Sequence, residues 1–110
     1  MRILYCLAFA VALTGCGKSQ AEKAANKAAM TEIKMQRMAR EFVSANLKDP
    51  ASAEYQNQRE MCGEVNSKNE MGGYTGFQRF IAGSKELVVL ERDSGLARAD
   101  FEDAWRTVCK

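Results

Sequence analysis

Four cysteines and no histidine set the limits of the chemistry this chain can do. Without an imidazole, neither a Ser-His-Asp nor a Cys-His arrangement can be assembled to activate a nucleophile. The usual nitrogen ligand of zinc is missing as well. Acid–base work by two carboxylates needs a pair that its surroundings set apart. Glu60, Glu64 and Glu70 instead stand in polar or turn-rich sequence as solvated positions. Gly72-Gly73 leads into strand-like sequence, whereas a phosphate-binding loop opens a helix. The expectation is a protein that is not an enzyme, with no cofactor and no metal. With 16 Lys and Arg against 14 Asp and Glu, there is no basic field to displace counterions from nucleic acid, so no such partner is expected.

The cysteines sort by position. Met1-Arg2 is a short basic start, and Ile3–Leu13 is an uncharged apolar run. That run is too short to cross a bilayer of roughly 30 Å as a helix, but it suits the apolar region of a signal peptide. Leu13-Thr14-Gly15-Cys16 resembles the lipobox of bacterial lipoproteins. The resemblance implies diacylglycerol on the Cys16 thiol, cleavage before Cys16 and an acyl chain, such as palmitate, on the new amino group. One acyl chain binds a membrane marginally, whereas two or more anchor stably, at about 0.8 kcal/mol per buried CH₂. The expected place is the cell envelope, with the domain in the periplasm or at the cell surface. Gly17 after the cysteine favours the outer membrane, while Lys18-Ser19 resembles an inner-membrane retention signal of some Gram-negative lineages.

Once Cys6 leaves with the leader and Cys16 carries lipid, Cys62 and Cys109 remain as one pair in an oxidising compartment. A structural disulfide is expected there. A redox role is the alternative, although the Cys-x-x-Cys spacing is absent.

The elements that position these groups follow from punctuation and period. Ser19-Gln-Ala-Glu22 has the form of a capping box. From there to Lys48 there is neither Gly nor Pro, which predicts one long helix ended by Asp49-Pro50. Its first half offers only alanine as an apolar face, as a solvated stalk would. Its second half carries the stripe Met35, Met38, Ala39, Phe42 and Ala45; core packing is the plain explanation, and an adaptable Met-rich face the other. Beyond Pro50, "AEYQNQREMCGEV" predicts one or two strands and "YTGFQRFIA" another. "KELVVLER" predicts a central strand buried on both faces. Asp100 then caps a closing helix with Phe101, Trp105 and Val108 on one side. The predicted fold class is α+β: an N-terminal helix, a three- to four-stranded antiparallel meander, a C-terminal helix and one disulfide. The division is leader 1–15, lipid-anchored helical stalk 16–34 and a small domain 35–110.

The densest sequence is "LKDPASAEY" followed by "CGEVNSKNEMGGYTGFQRF". It resembles a pattern recurrent in small secreted or lipid-anchored Gram-negative proteins, DPxSAxY, then CGxVNxKN, then GGYxGF. That resemblance spans Leu47 to about Ile81 and brings no chemistry with it. Asn66, Asn69, Gly72 and Gly73 suit positive-φ turns, and Gly63 beside Cys62 suggests a bulge or a close backbone approach. The loop has two explanations. Its polar residues bond their own backbone, or Asn66, Lys68, Asn69 and Tyr74 are presented to a protein partner in the envelope. The functional expectation is a lipid-anchored, non-enzymatic binding module of the exclusion, inhibitor or immunity kind. A structural or accessory subunit of an envelope or secretion machine is the alternative.

Overall fold

The computed structural model describes residues 20–109. The leader, the lipobox with Cys16, and the Ser19 hydroxyl of the capping box therefore lie outside the described residues. The order is α1 (Gln20–Ser44), a 3₁₀ turn (Pro50–Ser52), β1 (Glu54–Arg59), β2 (Cys62–Asn66), β3 (Gln78–Ala82), β4 (Val88–Leu90) and α2 (Arg98–Val108). The strands form one antiparallel meander in the order β1-β2-β3-β4. The fold is α+β with a Cys62–Cys109 disulfide.

Alternation along the strands sends side chains to two cores. Val65, Phe80, Ala82 and Leu90 meet Ala39 and Val43 of α1. Cys62 and Ile81 meet Phe101 of α2 on the other face, with Val89, Ala104, Trp105 and Cys109 around them. The sheet is thus the middle layer between two helices. The disulfide ties the end of α2 to the start of β2, with the two Cα atoms 5.9 Å apart.

Helix α1 stops at Ser44, before Asp49-Pro50 is reached. Asn46 N and Leu47 N bond back three residues, to Val43 O and Ser44 O, and the Asn46 amide takes the Phe42 carbonyl. A side chain that competes for a helix carbonyl ends the helix here. The buried stripe is also shifted from expectation. Ala39 and Val43 are fully buried and Met35 and Phe42 half-buried, whereas Met38 and Ala45 are exposed.

Beside the apolar stripe, α1 carries Glu32, Gln36, Arg40 and Ser44 at four-residue spacing, and all four bond β1 or its turn. Glu32 accepts from the Glu60 amide at 2.7 Å. Gln36 and Gln58 exchange amide-to-carbonyl bonds of 3.3 and 3.0 Å, and Arg40 donates to Gln58 Oε1 at 2.7 Å. The Tyr55 hydroxyl lies 2.7 Å from Ser44 Oγ and donates to Arg40 O. Burial holds the Tyr55 phenol above its ordinary pKa. The Glu60 amide, then Gln36, holds the Glu32 carboxyl below its own.

Gln58 reaches α1 because β1 bulges. Gln56 pairs Glu64 and Arg59 pairs Cys62, so Asn57 and Gln58 together oppose Gly63, with Asn57 at φ 51°. The bulge lies in β1, while Gly63 supplies the close approach: a Cβ there would meet Phe80 Cζ at 2.9 Å and Gln58 Cγ at 3.0 Å.

Two further expectations are corrected. β4 is an edge strand of three residues rather than a central one. Its apolar run reflects the helices on both faces of the sheet, and Leu87 ahead of it is 63% exposed. Helix α2 begins at Arg98 with Ala97 at the cap position, so Asp100 sits in the first turn, where a carboxylate favours the helix dipole. Val108 is exposed, and Ala104 takes its expected place beside Phe101.

Candidate binding surface

The residues between β2 and β3 form a loop pinned by its own polar groups. Asn69 Oδ1 accepts from the amides of Met71 and Gly73, while the Asn69 backbone bonds Gly72 N and Gly73 O. Asn66 Oδ1 accepts from Gly76 N at 3.0 Å. Positive φ falls at Gly72 and Gly76, not at Gly73, Asn66 or Asn69. The two asparagines therefore build the loop by side-chain bonds rather than by backbone strain.

Lys68 and Tyr74 pair across the loop as an isolated antiparallel bridge, and the Lys68 ammonium lies 5.5 Å from the Tyr74 ring centroid. Both are fastened to the 3₁₀ turn. Ser52 Oγ accepts from Lys68 N at 2.8 Å, and Tyr74 OH donates to Ser52 O at 3.3 Å. This is what Asp49-Pro50-Ala-Ser52 does: proline opens the turn, and Ser52 is aimed at the loop. Partial desolvation, then Glu54, raises the Tyr74 phenol above its ordinary pKa.

The structure brings Lys68 and Asn69 to the rim of an open groove of about 660 Å³ with Leu47, Val88 and Leu90 along it. Met71, at the loop tip, is 94% exposed and lines the same groove. Lys48 and Glu70, both exposed, close one side with a 3.3 Å ion pair. Asn66 and Tyr74 stand behind the loop and do not line the groove. Neutral amide, hydroxyl and aliphatic groups with balanced charge suit recognition of a mixed polar and apolar surface.

A second cluster was not anticipated. Arg79 on β3 donates to the carboxylates of Glu91 and Glu102, and its guanidinium lies 5.0 and 5.1 Å from the Phe101 and Trp105 rings. Bonding to Arg79 holds both carboxyls below their ordinary pKa and Arg79 above its own. With its charge answered and its faces packed, this cluster fastens α2 to the sheet. Arg79 stands two residues before Ile81 in "FQRFIA"; the strand period places it on the α2 face but does not name its partners.

Among the described residues there is no group of three or more His, Cys, Asp or Glu able to hold a metal. No helix there is long and apolar enough to cross a membrane. No family model, no curated protein and no solved structure matches the chain.

Proposed function

We propose that this protein is a lipid-anchored module of the bacterial envelope that acts without catalysis by binding a protein partner, as exclusion, inhibitor or immunity factors do. The observation that carries the binding half is the division of labour in the 66–76 loop. Asn66 and Asn69 are spent on its backbone, while Lys68 and the 94% exposed Met71 stand at the groove rim. The anchoring half rests on the Leu13–Cys16 pattern and its resemblance to a lipobox.

Each half has its own test. Cys16→Ser abolishes lipid labelling and releases the chain from membranes; labelled, membrane-bound Cys16→Ser protein refutes the anchor. For the surface, a photo-crosslinking residue at Met71 gives a discrete envelope adduct that the same probe at Thr107, on the exposed side of α2, does not. Lys68→Ala and Tyr74→Ala both weaken that adduct. The first removes a rim group at a stability cost of about 0.5–1 kcal/mol for the lost cation–π contact. The second releases the loop from Ser52 O at about 1–2 kcal/mol. Equal adducts at both probes, or an adduct indifferent to both substitutions, remove the loop from the surface.

The second reading, a spacer or accessory subunit, is favoured by α1. Residues 20–31 are exposed throughout, and a helix that buries no side chain along its first half suits reach better than packing.

A further inference from the structure

Helix α1 is an outer layer, and the face it turns away from the sheet carries charge of one sign. Lys23, Lys27, Lys34 and Arg37 fall within an arc of about 80° at 3.6 residues per turn. That arc lies opposite Ala39 and Val43, which α1 buries against the sheet. All four cations are exposed, and none forms an ion pair among the described residues. The carboxylates of the same stretch stand elsewhere: Glu32 turns to the Glu60 amide, and Glu22 lies about a quarter-turn from the centre of the arc. The first anion on the arc is Glu41, where the helix is already packed on the sheet. Met30 and Ile33, 57% and 52% exposed, sit within and beside the cations. This sorting works against an isolated helix. Lys23 and Lys27 are four apart and Lys34 and Arg37 three apart, and like charges at those spacings weaken it.

We propose that this face lies along the surface of an anionic phospholipid bilayer, so that the stalk rests on the membrane instead of projecting from it. Charge complementarity and chain length select that occupant. The proposal rests on the anchoring reading: with Cys16 acylated, the four residue steps to Gln20 reach at most about 14 Å, so the helix starts among or close to the headgroups. From there α1 either stands or lies down. Each cation brought to an anionic surface favours contact about fivefold, which decides for lying down. Met30 and Ile33 then enter the headgroup boundary while the lysine stems lie along it with their ammonium groups in water. The sheet and α2 ride on the far side of α1, away from lipid. Four cations alone hold a chain reversibly and are screened by salt, so the face orients a chain that the acyl groups retain.

The test uses the chain purified from envelopes, whose intact mass reports the acyl groups and so reads the anchor separately. It is reconstituted into vesicles of phosphatidylcholine, with or without phosphatidylglycerol. Met30→Cys, and Ala28→Cys on the opposite side of the helix, each carry a thiol-linked fluorophore; Cys62 and Cys109 are held as a disulfide and do not label. With phosphatidylglycerol, a nitroxide on the lipid headgroups quenches position 30 several-fold more than position 28. Without it, or in about 1 M salt, where the Debye length is about 3 Å, the two quench alike. Lys27→Gln with Lys34→Gln, both exposed, lowers the ratio of lying to standing chains about 25-fold without altering the melting temperature. Equal quenching of the two probes on phosphatidylglycerol, a difference that persists on phosphatidylcholine alone, or one indifferent to the paired substitution each overturns the proposal. Equal quenching together with a discrete protein adduct at position 30 in whole envelopes gives the face to an acidic protein instead. A mass without acyl groups refutes the anchor; co-sedimentation of that chain with phosphatidylglycerol vesicles alone still supports the face, and its absence removes both.

Discussion

Gly63→Ala tests how the sheet and α1 are locked together. A methyl there would stand 2.9 Å from Phe80 Cζ and 3.0 Å from Gln58 Cγ, and neither neighbour yields cheaply. Phe80 is fully buried and set edge-on to Tyr55, with ring centroids 6.0 Å apart. The Gln58 amide is held by the Gln36 carbonyl and Arg40. Gly63 is not at positive φ, so its backbone accepts alanine, which taken alone adds roughly 0.5–1 kcal/mol of stability in a strand. Overpacking costs about 1–3 kcal/mol. The clash wins, with a net loss of about 1–2 kcal/mol. At 4–8 °C per kcal/mol for a domain of this size, the melting temperature falls by roughly 5–15 °C. Thermal unfolding followed by circular dichroism measures the shift, and urea unfolding the free energy. Phe80→Leu frees the space, so the two changes together cost less than their sum. Gly73→Ala, whose nearest non-neighbour atom is Asn69 Oδ1 at 3.9 Å, is the silent control. A Gly63→Ala protein as stable as its parent, or strict additivity with Phe80→Leu, refutes the reasoning.

Two further outcomes follow from the α2 side of the sheet. Joining residues 47 apart constrains the unfolded chain by about 4 kcal/mol. Cys62→Ala with Cys109→Ala therefore loses stability of that order in urea, and a loss below about 1 kcal/mol contradicts the staple. The Glu91 carboxyl lies below its ordinary pKa of 4.5 in the folded chain, first because Arg79 bonds it. Its contribution is complete above that ordinary value and is lost as pH falls through the lowered one. Urea midpoints should drop on acidification below about pH 5, and Glu91→Gln should flatten the drop; an identical pH profile in both proteins would contradict it.

The parts of the fold legible in the sequence were those with a local cause. Glycine pairs and asparagines marked the turns, alternation marked β1 to β3, and the alanine-rich run marked α1. What failed depended on partners far away in the chain. Leu87-Val88-Val89-Leu90 has the composition of a central strand, yet apolarity reports covered faces and says nothing of covered edges. Met38 and Ala45 keep helical period with Ala39, but the strip α1 buries is set by where Val65, Phe80, Ala82 and Leu90 of the sheet meet it, and that brings in Val43. Asn57 and Glu60 take positive φ, and Glu60 carries no turn signal of its own; the Glu32 carboxylate from α1 holds its amide. In the candidate site the asparagines were legible because their bonds are short-range. The Ser52 strap and the Arg79 cluster were not, since each joins elements that only the folded sheet brings together.

The row Glu32, Gln36, Arg40 and Ser44 bears on how an anchored protein of this shape would be held. An apolar stripe alone tolerates a slip of one turn, because residues four apart occupy similar places on a helix face. These four do not, because each offers β1 a different group: a carboxylate for the Glu60 amide, an amide for Gln58, a guanidinium for Gln58 Oε1 and a hydroxyl for Tyr55. Slipped by one turn, the short Ser44 hydroxyl would stand where Arg40 reaches Gln58 Oε1, and Tyr55 would lose its Ser44 partner, leaving half-buried polar groups unpaired at about 1–3 kcal/mol each. The helix is therefore fixed in register and in direction at Glu32. The exposed residues 20–31 before it would carry the chain roughly 18 Å from the domain at 1.5 Å per residue. A pull on the N-terminus reaches β1, beside the bulge opposite Gly63. In this arrangement the glycine that lets Gln58 and Phe80 close over it lies beside the bonds that fasten α1 to the sheet.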